Sequence, residues 1–131
     1  MREIIFRGKR LDNGEWVYGS LFVGFQKSYI CPEAIAMYNF DGALCIGGFI
    51  EVYPSTVGQY TGLKDKHGKN GKRIFEGDIL SFRAGRTHVV RFEDGAFILE
   101  DSAIPIPFAI KSEIIGNVHD NPELLKEEAQ P

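Results

Sequence analysis

The run Lys64-Asp65-Lys66-His67-Gly68-Lys69-Asn70-Gly71-Lys72-Arg73 gathers five cations against one carboxylate, a net charge of +4. Each lysine or arginine that meets a phosphate releases a counterion, so such a run can track a nucleic-acid backbone. Tyr60 and Phe75 flank it, and aromatic rings beside a basic groove can stack on bases. Tyr60, Lys64, Lys66, Lys69, Lys72, Arg73 and Phe75 are therefore the candidate partner contacts. The competing reading is a solvated hairpin tip. The run contains no apolar residue, so it is expected to add nothing to a core and to stand as an exposed loop.

Other residue groupings carry less. Gly62 to Lys69 imitates a phosphate-binding loop, but five residues separate Gly62 from Gly68 where four are needed. Asn70 also stands where a Ser or Thr would hold magnesium. Ser81, His88 and Asp78 fall on neighbouring predicted strands, yet no Gly-x-Ser-x-Gly elbow surrounds the serine. Glu76-Gly77-Asp78 places two carboxylates around a glycine. That pattern serves an acid–base pair or a cation, and more often a tight turn whose acids accept backbone N–H groups. His67, His88 and His119 are isolated in sequence. Cys31 and Cys45 lack CxxC spacing, which points to two small thiols in a reducing compartment rather than a zinc site. No catalytic, cofactor or metal-binding residue is assigned from the sequence, and a non-enzyme is expected.

The elements that position these residues are short strands. The chain has 131 residues, 44% hydrophobic and 25% charged, with 15 glycines, ten Phe and five Tyr. That is a globular composition of strands joined by tight turns. A net charge of -3 argues against a surface built entirely to hold nucleic acid. No apolar run approaches the ~18 residues that cross a bilayer, and the N-terminus lacks an apolar signal core. A cytoplasmic protein with no membrane partner is expected.

Ile4–Arg7 reads as a first strand, Asp12-Asn13-Gly14 as a turn, and Trp16–Val23 as a return strand apolar on both faces, hence covered on both. Ser28–Cys31, Ala43–Ile46 and Phe49–Tyr53 read as strands, the last ended by Pro54. Glu33–Tyr38 leans to strand over a helical turn. Pro54–Gly62 is polar and is expected to satisfy its own hydrogen bonds locally. Asp78–Arg83, Thr87–Phe92, Ala96–Glu100, Ile104–Phe108 and Ser112–Val118 alternate or are proline-extended. They are expected to curl into a small barrel. Asn121-Pro122-Glu123 then starts a short helix over Leu124 and Leu125. The layout is an N-terminal β region over 1–63, the basic loop over 64–73, and a barrel with a C-terminal helix over 74–131.

Three separated motifs resemble one family. Gln59-Tyr60-Thr61-Gly62-Leu63-Lys64-Asp65 with Ile74-Phe75-Glu76-Gly77-Asp78-Ile79 resembles the hallmark of the YopX family of phage- and prophage-encoded proteins. Phe6-Arg7-Gly8-Lys9-Arg10 with Gly14–Gly19 resembles its usual start, and Ile114–Leu125 its usual end. The tip over His67–Arg73 is a few residues longer than usual. The resemblance implies a mainly β fold with an SH3-like small barrel in the C-terminal part; with the residue reading, the expected architecture is an N-terminal antiparallel sheet, that barrel and a short C-terminal helix. It brings no enzymatic activity, catalytic residue or cofactor. The function expected is a phage accessory protein in the bacterial host cytoplasm that binds a protein or nucleic-acid partner. The alternatives are a self-associating structural protein, whose apolar stretches Trp16–Val23 and Phe40–Tyr53 another copy would cover, and a small hydrolase using Glu76, Asp78 or His88.

Overall fold

The computed structural model describes residues 2–32, 37–40, 43–46, 48–67, 71–82, 85–100, 104–105 and 111–125, with only the backbone of 37–40, 43–46 and 104–105. The described residues form thirteen strands, a 3-10 turn over Pro54–Thr56 and a helical turn over 123–125, so the fold is mainly β. The strands are β1 (Phe6–Lys9), β2 (Trp16–Gly24), β3 (Lys27–Pro32), β4 (Met37–Phe40), β5 (Ala43–Ile46), β6 (Ile50–Val52), β7 (Gly58–Lys64), β8 (Arg73–Phe75), β9 (Asp78–Ser81), β10 (Thr87–Glu93), β11 (Ala96–Leu99), β12 (Ile104–Pro105) and β13 (Glu113–Asn117). The chain divides into two compact units, Glu3–Gln59 and Tyr60–Pro131 with Met1–Arg2.

In the first unit the strands run β6-β3-β2-β1, all antiparallel, and the start of β7 lies beside β1 through Phe6↔Gln59 and Arg7↔Gly58. The expected antiparallel sheet is present and returns on itself. Past β1, Arg10 bridges to Val52, Leu11 N–H donates to Glu51 O (3.2 Å), and Tyr53 N–H donates to Lys9 O (2.9 Å). The outer edge of β6 is thereby paired, which removes an open template for aggregation. Such closure demands close approach. A Cβ on Gly8 would stand 2.9 Å from Val52 Cγ2, and one on Gly19 would collide with the Cys31 carbonyl. The Thr56 hydroxyl completes the joint: it accepts Lys9 N–H (2.9 Å) and donates to Tyr53 O (2.6 Å). Ile30 and Val52 are fully buried here.

Two expectations for this unit need correction. β2 is not covered on both faces: Tyr18, Phe22 and Val23 are exposed. For Phe22 and Val23 the cause is length: β1 pairs only with Trp16–Gly19, so the far end of β2 runs on with β3 alone on its flank. The segment Pro54–Gly62 does not satisfy itself locally: the Thr56 hydroxyl accepts Lys9 N–H, and β7 begins at Gly58. The leaning to strand at Glu33–Tyr38 holds from Met37, while 33–36 lie outside the described residues. Cys31 is buried, and the side chain of Cys45 lies outside the description.

In the second unit the order is β12-β11-β10-β9-β13, again antiparallel. The last strand returns beside the first, a connectivity compatible with the SH3-like barrel expected there. Ile74, Leu80, Val90 and Leu99 are fully buried and pack together, with Leu63, Phe82 and Ile114 around them. Asp94 and Gly95, both at positive φ (51° and 82°), make the tight β10–β11 turn that the sequence signals. The extended reading of Ile104–Phe108 holds at Ile104–Pro105, and 106–108 lie outside the described residues. β8 and the register of β7 escaped the sequence reading. β7 carries two more residues than β8 between the pairs Tyr60↔Phe75 and Lys64↔Arg73. Period-two reading does not anticipate such a bulge.

Two predictions follow from the N-terminal unit. Gly19→Ala is expected to cost at least about 1–3 kcal/mol, as overpacking against backbone does, measured by the denaturant midpoint. The second concerns the exposed turn after β1. Arg10 Nε and Nη2 donate to Asp12 Oδ1 (2.9 Å) and Oδ2 (2.7 Å). This hydrogen bonding holds the Asp12 carboxyl below the usual carboxylate range and pushes Arg10 up. A depressed folded pKa means the stabilisation is present above the unfolded carboxyl value and fades as pH falls through the folded one. An NMR titration is expected to place Asp12 below the ordinary value, and Arg10→Ala to return it there.

Candidate functional site

The basic tip is anchored by its one acid. Asp65 is only 3% exposed, so the expectation that nothing in Lys64–Arg73 is buried is corrected. A carboxylate can be buried when backbone N–H groups surround it. Asp65 Oδ1 accepts from His67 N–H (3.2 Å) and Lys72 N–H (3.3 Å), and Asp65 N–H donates to Lys72 O (3.0 Å). Lys66 N–H reaches across to Ser112 O (2.7 Å). Lys64 and Arg73 are strand residues paired across the hairpin. Lys66, His67, Lys72 and Arg73 are exposed, and Lys69 lies outside the described residues.

The flanking aromatics do not join that cationic surface. Tyr60 is 6% and Phe75 3% exposed, with ring centroids 5.6 Å apart, so their faces are spent on each other and on the interior. The Arg73 guanidinium lies 5.5 Å over the Tyr60 ring. The proposed stacking of bases on Tyr60 and Phe75 is therefore corrected. The charged half of the candidate set stays outside, and the aromatic half serves the fold.

The recognised motifs resolve in the same way. The Thr61 hydroxyl donates to Ile74 O (2.8 Å) and accepts from Leu63 N–H (3.2 Å), spanning the bulge. Asp78, 2% exposed, accepts Phe75 N–H (2.8 Å), while Gly77 at φ 93° donates to Val90 O and accepts from Val118 N–H. This is the structural reading of Glu76-Gly77-Asp78, borne out at Asp78. At the far end, Asn117 Oδ1 accepts from His119 N–H (3.0 Å) and Asp120 N–H (2.9 Å), and Asn121 Oδ1 accepts from Asn117 N–H (3.2 Å).

The candidate Ser81–His88 pair is not assembled. His88 sits opposite Leu80 in the β9–β10 register, so its side chain shares Leu80's face and Ser81 points the other way. His88 Nδ1 instead donates to Glu100 O (3.2 Å). Among the described residues no three His, Cys, Asp or Glu cluster as a metal site would need. No described helix is long and apolar enough to cross a membrane.

One surface was missed as a site. β2 and β3 are joined by Phe25 and Gln26, both in the left-handed region (φ 54° and 62°). Such a turn ordinarily takes Asn or Gly, and other residues cost about 1–2 kcal/mol each there. Phe25 is nonetheless 89% exposed. Phe22, Tyr29 and Phe49 form a shallow apolar cavity of about 260 Å³ with it, Phe22 lying 5.7 Å from Phe49 and 6.1 Å from Tyr29 between ring centroids. The signal available in the sequence was slight: Phe25, a large apolar residue, stands within a polar stretch between two apolar runs.

Asp65→Ala is expected to cost about 1–3 kcal/mol, as leaving buried N–H groups unpaired does. Amide hydrogen exchange at His67 and Lys72 should quicken more than at Val90, and denaturant unfolding gives the energy.

A family model described as YopX protein matches residues 5–126. No curated protein matches the chain. The match takes in all three motifs, whose side chains are occupied in holding turns and bulges, and on its extent the chain belongs to the YopX family.

Proposed function

We propose that the protein is a non-enzymatic accessory module, of phage or prophage origin and working in a bacterial host's cytoplasm, that docks on a protein partner through Phe22, Phe25, Tyr29 and Phe49. The observation that carries this is Phe25: a large apolar side chain, almost wholly exposed, on a turn whose backbone disfavours it. A sequence that accepts both costs gains something from that ring being outside. Aromatic anchors are what protein interfaces use at their centres.

The charge of the patch supports protein over nucleic acid. The nearest cation in this hairpin, Lys27, faces Glu51 at 3.9 Å, which leaves the rim neutral. A polyanion needs cations beside the stacking rings. The cations of the tip lie with Tyr60 and Phe75, whose rings are buried. The partner's matching surface is then apolar with an uncharged rim.

A photoactivatable phenylalanine analogue at position 25, expressed in the host, is expected to trap a discrete protein adduct. The same probe at Lys72 is expected to trap none. A doublet of the chain's own mass would favour self-association, the second use of the same patch. Absence of any adduct at position 25, or equal trapping at Lys72, overturns the docking reading.

A further inference from the structure

The second unit holds a cavity of about 550 Å³ whose described walls are Lys66, Ser81, Phe82, Lys111 and Glu113. That volume lies within the ~300–1,000 Å³ typical of small-molecule sites and exceeds what a bare inorganic anion fills. We propose that it binds a phosphate monoester carrying a ring, the chemistry of a mononucleotide. This goes beyond the docking reading and does not need it.

Three polar groups converge there with capacity to spare. Lys111 forms no ion pair, and the Ser81 hydroxyl no hydrogen bond, with the described residues. Lys66 Nζ lies 3.3 Å from Glu113 Oε2, and His67 Nε2 lies 3.9 Å from Glu113 Oε1. Two ammonium groups against one carboxylate leave the described walls at +1. A phosphate monoester carries about -1.5 to -2 at pH 7 and offers oxygens to both lysines and to the serine.

The backbone that carries Lys66 is anchored. Lys66 N–H is tied to Ser112 O at 2.7 Å, and Ser112 is fully buried. Glu113 pairs with Ser81 across β9 and β13, which sets its carboxylate beside the serine. Phe82 supplies the apolar wall. Its ring packs on the core formed by Ile74, Leu80, Val90 and Leu99 and meets His88 edge-on at 5.5 Å, so it is held in place. A ligand with only a phosphate leaves that wall unused.

The geometry gives Glu113 a definite part. It holds Lys66 while the cavity is free, so an arriving phosphate competes with it for the same ammonium. Removing its charge therefore strengthens binding.

The test is an NMR and calorimetric titration of the full chain at low salt with AMP, adenosine and inorganic phosphate. AMP is expected to bind with a Kd of about 1 mM or below, shifting amides of Ser81, Phe82 and Glu113. Adenosine and phosphate alone should each bind at least about tenfold more weakly. Lys111→Glu should weaken AMP about tenfold or more, and Ser81→Ala about 2–10-fold, as loss of one hydrogen bond does. Glu113→Gln should tighten AMP about threefold or more, on the scale of a partly exposed charge. Lys111 and Glu113 are exposed, so these variants fold, and thermal melts verify it. No shift at about 10 mM AMP, phosphate binding as tightly as AMP, indifference to Lys111→Glu, or weakening by Glu113→Gln would each overturn the proposal.

Discussion

Short strands leave many backbone N–H and C=O groups near the interior without a ladder partner, and every buried one must be paired. The turn from Phe75 to Asp78 answers that constraint in the C-terminal unit. Asp78 enters the interior with Phe75 N–H meeting its side chain at 2.8 Å. Gly77 gives its N–H to Val90 and its carbonyl to Val118, so one residue ties β10 and the end of β13 to the start of β9. With this turn set, Ile79 and Leu80 follow directly into the buried region. Gly77 sits at φ 93°, a conformation open to glycine and costly to other residues. The motif Glu-Gly-Asp is thus a backbone specification written in side chains.

The same logic shows how much was legible. Period-two alternation with clear turn residues gave β9, β10, β11 and β13 and the Asp94-Gly95 hairpin within a residue or two. Asn121-Pro122-Glu123 gave the final helical turn. Where alternation was broken, reading failed. The bulge in β7 places Thr61, Gly62 and Leu63 opposite Ile74 alone, so the start of β7 read as part of a polar local segment and β8 went unread as a strand. Asp65 looked like one more charged residue in a charged loop. Only the folded hairpin supplies the two N–H groups that make its burial favourable.

Closure of the N-terminal unit was illegible for a different reason. It rests on Lys9–Leu11 meeting Glu51–Tyr53, a pairing between segments some forty residues apart that no local pattern encodes. What the sequence does carry is the permission for it, at Gly8 and Gly19, where a side chain would meet Val52 or the Cys31 carbonyl. The exposure of Phe22 and Val23 follows from the same arithmetic of strand lengths, since β2 outruns β1. An apolar two-faced strand therefore signals two coverings only if its neighbours are as long as it is.

Family membership is informative about one layer of this molecule and silent about another. The residues that carry the resemblance, Thr61, Asp65, Gly77, Asp78, Asn117 and Asn121, each hydrogen-bond to backbone groups. A group so engaged has little left to offer a ligand. Phe25, Ser81 and Lys111 stand outside those motifs and are where exposed or unspent groups remain. Turn-holding side chains keep the strands in register, and strands in register hold the intervening positions at fixed places whatever residue occupies them. One scaffold can thus present different surfaces, and what this chain binds must be argued from the residues its fold leaves unoccupied.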